Sequence, residues 1–138
     1  MRRYIFSQKK STMNNIHENK KNAIAYYKMA FEGNPAKAVE LYTGEEYIQH
    51  NPNVEDGKEG FITYFNKMHQ EYPQKSIEFL RAVAEGDLVA LHTHQKWPGE
   101  DDYVTMDFFR FDSHGKIVEH WDALQVVPTT FKHNNGMI

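Results

Sequence analysis

The chain has 138 residues, long enough for one domain with a genuine core. Its net charge of −3, from 16 basic and 19 acidic residues, supplies no basic excess to hold nucleic acid. It contains no cysteine, which excludes disulfides, thiolate nucleophiles and zinc–sulfur sites, and no run near the roughly 20 apolar residues of a membrane span. Those properties fit a protein of the reducing cytoplasm. Aromatic residues make up 14% of the chain, enough to line a cavity as well as fill a core.

Residues 1–13 lack a pattern after Phe6 and are expected to form a disordered extension ahead of a single domain over residues 14–138. From Asn15 to Phe31, the residues Ile16, Ala23, Ile24, Tyr27, Ala30 and Phe31 recur at helical spacing. Gly33-Asn34 stops that helix, and Pro35 opens a second short one through Tyr42, with Gly44 ending it. Tyr47 to Pro52 is extended, because Pro52 holds Asn51 away from helix. Asp56-Gly57 leads into a third helix, about Lys58 to Tyr72, with Phe61, Ile62, Phe65 and Met68 on one stripe. Four strands follow, Lys75 to Glu85, Leu88 to Trp97, Tyr103 to Asp112 and Lys116 to Val126, separated by turn-forming residues. Helices first and a strand meander afterwards give an α+β domain.

The last two strands carry unusual residues. Side chains alternate between sheet faces, so Val118, His120 and Asp122 share one face, and Ile117, Glu119 and Trp121 share the other. If Phe111 pairs with Lys116 across the turn, Asp107 lies opposite His120. Carboxylates beside an imidazole on an apolar face suit proton transfer next to a carbonyl, since burial raises a carboxylate's proton affinity. Asp122 and Asp107 are therefore the candidate bases, with Asp122 favoured slightly, and His120 is the candidate proton partner. The bland alternative has Asp107 paired with Arg110 or a backbone amide. Arg110 and Glu119 fall together on the other face, where an ion pair is expected.

His50 sits in Gln49-His50-Asn51-Pro52, where a neutral imidazole could orient a substrate oxygen, with Asn51 beside it as a donor. His92 and His94 share one strand face. His92 is expected to face the cavity, where it joins His50 and His120 as a candidate catalytic residue to stabilise an enolate or deliver a proton, and His94 to lie near the rim. Their spacing is one that can chelate a metal, but no second ligand motif follows, so neither metal nor cofactor is expected. Tyr27, Phe109 and Trp121 join Asn51 and His94 as candidate ligand contacts. The chain has no phosphate loop, dinucleotide turn or Gly-x-Ser-x-Gly elbow.

Phe-Arg-Phe-x-x-x-Gly-Lys-Ile-Val-Glu-His-Trp-Asp resembles the closing hairpin of the SnoaL-like polyketide cyclases, in the nuclear transport factor 2-like superfamily. Tyr47 to Pro52, Val83 to Val89, Gln125-Val-Val-Pro and Asn134-Asn-Gly-Met137 are similar to the same group, in the same order. The resemblance implies three N-terminal helices packed on a curved antiparallel sheet, forming a cone with an internal pocket, and an aspartate as general acid and base. Asp107 and Asp122 both remain open for that role. The expectation is a small cofactor-independent enzyme of cyclase, isomerase or lyase type acting on an apolar carbonyl compound. The alternative is a binding module of the same fold without chemistry. A homodimer is expected through the outer sheet face, with Trp121, Val89 and Leu91 at its centre.

Overall fold

The computed structural model describes the backbone of residues 2–138 and the side chains of residues 15–138. The expectation of a disordered segment at 1–13 therefore lies outside the described side chains. Three helices come first: α1 (Arg2–Phe31), α2 (Pro35–Tyr42) and, after strand β1 (Thr43–Gln49), α3 (Gly57–Glu71). β2 (Ser76–Glu85), β3 (Leu88–Lys96), β4 (Tyr103–Phe111) and β5 (Ile117–Val126) complete the chain.

The helix ends follow from local chemistry. After α1, Gly33 adopts φ 91°. Its amide donates to Ala30 O and the amide of Asn34 donates to Met29 O, so two orphan carbonyls of the last turn are satisfied. Pro35 then opens α2 at its first turn. That helix ends at Thr43, whose hydroxyl donates to Val39 O, rather than at Gly44, which lies within β1. Asp56 caps α3 by accepting from the amide of Gly57.

The five strands form one sheet in the order β1-β5-β4-β3-β2. The four later strands are antiparallel, but β1 pairs with β5 in parallel, so the sheet is mixed rather than wholly antiparallel. The β4–β5 register also differs from the expected one. Phe111 pairs with Ile117 and Arg110 with Glu119, so Val118 is an extra residue on β5. This bulge slides the pairing, and Asp107 stands opposite Asp122, with Phe109 opposite His120. It also turns Ile117 inward, into the core, where simple alternation puts it outside.

The core lies between the helices and the inner sheet face. Tyr26, Phe61 and Phe109 are fully or almost fully buried there, with Tyr26 stacked on Phe61 at 4.8 Å between ring centres. Burying an aromatic side chain of this kind contributes about 1.5–3 kcal/mol. Val89 and Leu91 belong to this inner layer and not to the outer face. The outer face instead exposes Val83, Met106 and Phe108. Among the described residues, no helix is long and apolar enough to cross a membrane.

Candidate active site

The inner face of β4 and β5 carries a polar group in an otherwise aromatic layer. Asp107 is fully buried and accepts three bonds or contacts. Tyr27 on α1 donates its hydroxyl to Asp107 Oδ1 at 2.8 Å. His120 Nε2 lies 2.9 Å from the same oxygen. Thr105 donates to Asp107 Oδ2 at 2.6 Å, and Thr93 on β3 lies 2.6 Å from the Thr105 hydroxyl. The His120 ring is clamped between Phe109, stacked at 4.8 Å, and the edge of Tyr27. Its other nitrogen, Nδ1, is 2.8 Å from Gln49 Oε1. Buried polar atoms persist when they are hydrogen-bonded, and those of Asp107, His120 and Thr105 all are.

Asp122 is different. Its Oδ2 accepts from Asn51 Nδ2 at 2.8 Å, while its Oδ1 is buried with no protein partner. Burial raises its pKa, opposed in part by His120 and by the bond from Asn51, and Asp107 adds a smaller upward push. A small cavity, about 30 Å³, is lined by Tyr27, Phe31, Asn51, Tyr64, His120 and Asp122, with further apolar neighbours. That is room for a water or two, not for a substrate. A wider cleft of about 480 Å³ shares Asn51, Tyr64 and Leu124 with it and adds Met68, Tyr72, Trp97 and Tyr103.

Asp107, His120, Asp122, Asn51 and Tyr27 thus meet in one place, whereas other sequence candidates lie elsewhere. His50 is on the far side of the sheet edge, stacked on Trp121 at 5.0 Å and 2.9 Å from Glu119. Glu119 also accepts from Arg110 at 2.7 Å, the expected ion pair. His92 faces outward, because the odd-numbered residues of β3 point in, and it contacts Arg81 at 3.0 Å. His94 shares that outward parity and lies 3.0 Å from Asp102. Trp121 is on the outer face, and Phe109 backs His120 without lining the cavity. Sequence reasoning missed Gln49, Thr93 and Thr105. Alternation along β3 and β4 could have placed both threonines beside Asp107, but nothing in the sequence aims the Gln49 side chain.

Asp107, His120 and Asp122 each offer one ligand atom within 4.8 Å of the others, the geometry of a possible cation site. In this structure the nitrogen of His120 and the oxygen of Asp107 that would bind a cation together instead meet each other at 2.9 Å.

A model of the SnoaL-like domain matches residues 23–120, more than half of the chain. The chain belongs to the SnoaL-like family. This SnoaL-like domain is also similar in fold to solved structures. TsrD from Streptomyces laurentii matches at 19% identity and a TM-score of 0.65, over 77% of this chain and 87% of that one. AclR from Streptomyces galilaeus, described as a candidate hydroxylase, matches at 18% and 0.66, over 80% and 90%. A candidate polyketide cyclase from Bacillus cereus matches at 18% and 0.67, over 78% and 74%. Identities this low carry the fold alone. A comparison with curated proteins gives no match.

Proposed function

We propose that this SnoaL-like domain is a cofactor-independent acid–base enzyme of cyclase, isomerase or lyase type, acting on a small apolar carbonyl compound. The observation that carries it is the unpartnered, buried Oδ1 of Asp122 at the cavity wall. A carboxylate oxygen left without a donor is costly to the fold, about 1–3 kcal/mol for a buried polar atom, and is free to take a proton. Asp107 is the poorer base, since its oxygens are occupied by Tyr27, Thr105 and His120. In this reading Asp122 removes a proton next to the carbonyl, with His120, held by Asp107 and Gln49, beside the enolate that forms. Asp122 then returns the proton to carbon, or the enolate carbon bonds to a second carbonyl of the same molecule and Asp122 gives its proton to the resulting alkoxide.

The substrate's body lies in the 480 Å³ cleft, a size ordinary for small-molecule sites, with its reacting end toward the small cavity at Asn51 and Tyr64, which line both. Neither cavity nor cleft is lined by lysine or arginine, and the cleft is also lined by Glu71 and Glu100, whose charge disfavours a carboxylate or phosphate on the substrate. The catalytic reading extends to a homodimer formed through the outer sheet face, where Val83, Met106 and Phe108 are exposed.

Hydrogen–deuterium exchange at the acidic carbon of apolar ketones and β-diketones, followed by NMR in D2O, tests the chemistry without knowledge of the product. The wild type should accelerate exchange for at least one compound, and Asp122→Asn should lose about 10²–10⁴-fold of that rate. Exchange undiminished in Asp122→Asn would remove Asp122 from the role. Ligand-induced protection with no exchange on any compound would favour the binding module.

A further inference from the structure

We propose that Gln49 is a positioning residue: it holds a proton on His120 Nδ1 and so leaves His120 Nε2 and Asp107 to share a single proton. The geometry fixes this by elimination. Gln49 Oε1 lies 3.0 Å from the backbone nitrogen of His50, 3.0 Å from that of Asn51 and 2.8 Å from His120 Nδ1. Both backbone amides can only donate, so the side-chain atom facing them is the oxygen and not the amide nitrogen. An oxygen of that kind has no proton to give. His120 Nδ1 must therefore be the donor.

With Nδ1 protonated, the 2.9 Å contact between Nε2 and Asp107 Oδ1 holds one further proton. Tyr27 and Thr105 both donate to Asp107, so its oxygens are already engaged on their other sides. Both nitrogens of His120 are then engaged, Nδ1 with Gln49 and Nε2 with Asp107. A flipped ring would turn a C–H toward Gln49 and another toward Asp107, losing both contacts.

Gln49 is itself held from two directions. It is the last residue of β1 and pairs with His120 across the parallel β1–β5 ladder, where His50 N donates to His120 O at 3.0 Å. Its own amide donates to Asp56 Oδ1 at 2.9 Å, and Asp56 is the cap of α3. The arrangement works as an outer support for a reacting group, the role that orienting partners play for imidazoles elsewhere. The effect on turnover rests on the acid–base reading above, but the proton placement does not.

The test is NMR of protein labelled with nitrogen-15 in histidine, comparing wild type, Gln49→Leu and Gln49→Glu at neutral pH. The wild type should show His120 with a proton on Nδ1. Gln49→Leu, which cannot accept, should lose that pattern, and its kcat in the exchange assay should fall about 10- to 100-fold with little change in KM. Gln49→Glu, which can accept from all three donors, should keep both the Nδ1 proton and most of the rate. A bare Nδ1 on His120 in the wild type would overturn the proposal, and needs no variant to fold. An Nδ1 proton that survives in Gln49→Leu would overturn it as well. If proton placement follows Gln49 while Asp122→Asn keeps full exchange activity, the positioning stands and the catalytic reading falls.

Discussion

Asp107 and Asp122 face each other across the β4–β5 ladder, and their surroundings give them opposite roles. Asp107 has its oxygens occupied by a phenol, a threonine hydroxyl and an imidazole, all inside the core. Asparagine there puts an amide NH2 where one oxygen accepts, so one buried donor loses its acceptor. Asp107→Asn should therefore destabilise the fold by about 1–3 kcal/mol, measured by chemical unfolding at pH 7. Asp122 has one oxygen unpartnered and a pKa raised chiefly by burial. The folded state binds its proton more tightly than the unfolded chain does. Its contribution to stability is thus present below the unfolded value and lost as pH rises through the folded one. At neutral pH the ionised group works against folding, so Asp122→Asn should leave stability unchanged or raise it by up to roughly 1 kcal/mol. That gain should shrink in acid. Activity should follow the opposite course in the wild type, falling as pH drops through the raised value, because only the carboxylate is a base. An Asp122→Asn protein less stable than wild type at pH 7 would show that the carboxylate is a structural anchor.

At the level of elements, periodicity places α2, α3, the C-terminal end of α1 and the last four strands near their observed bounds, because each has a clear apolar stripe and a glycine, proline or asparagine break, whereas α1 starts at Arg2 and not at Asn15. Two features were not legible. The β5 bulge at Val118 depends on how two strands meet, which one strand's sequence does not record. Parity survived beyond the bulge, so His120 and Asp122 were placed on a common face with Asp107, though with the wrong partners opposite. β1 has no alternation to announce it: Thr43-Gly44-Glu45-Glu46 reads as a loop, and tertiary pairing makes it a strand. For β3, the histidines drew attention to the even positions, whereas the apolar Val89 and Leu91 mark the odd ones as inward. The segment joining β1 to α3 carries Asn51 and is braced by a close approach at Gly60. A side chain there would drive a Cβ into the carbonyl oxygen of Glu55, a backbone atom that cannot swing away. Gly60→Ala should therefore cost about 1–3 kcal/mol. It should also loosen Asn51 from Asp122, seen as a lowered unfolding midpoint together with a slower exchange reaction. An alanine variant with wild-type stability would mean that the 55–60 turn shifts freely.

On the scale of the whole molecule, the two faces of the sheet have separate tasks. The inner face, with the helices, encloses the polar group and its small cavity. The outer face has no helix over it and presents an apolar row across four strands, in which Val83 pairs with Ala90, Ala90 with Phe108 and Phe108 with Trp121. Met106 lies one pair further along β4, beside Ala123. Val83 is 66% exposed, Met106 49% and Phe108 45%, values that are costly to leave in water for residues so close together. The row ends at an ion pair, Arg110 with Glu119, and at Arg81 beside His92, which gives the patch a polar border. A second copy of the chain can cover such a row with the same row in a two-fold arrangement, since each interface residue then meets its own kind or a near neighbour. Light scattering should accordingly give twice the 16.2 kDa chain mass at micromolar concentration. Phe108→Glu places a charge at the middle of the row without touching the core, because Phe108 points away from Phe109 and the helices. That variant should be monomeric, should unfold cooperatively, and should keep its exchange rate per chain, since every residue of the candidate site comes from one chain. A wild type of single-chain mass would dismiss the dimer. A Phe108→Glu protein that remains a dimer would move the interface to another surface. A folded monomer without activity would show that the partner chain supports the site across the sheet.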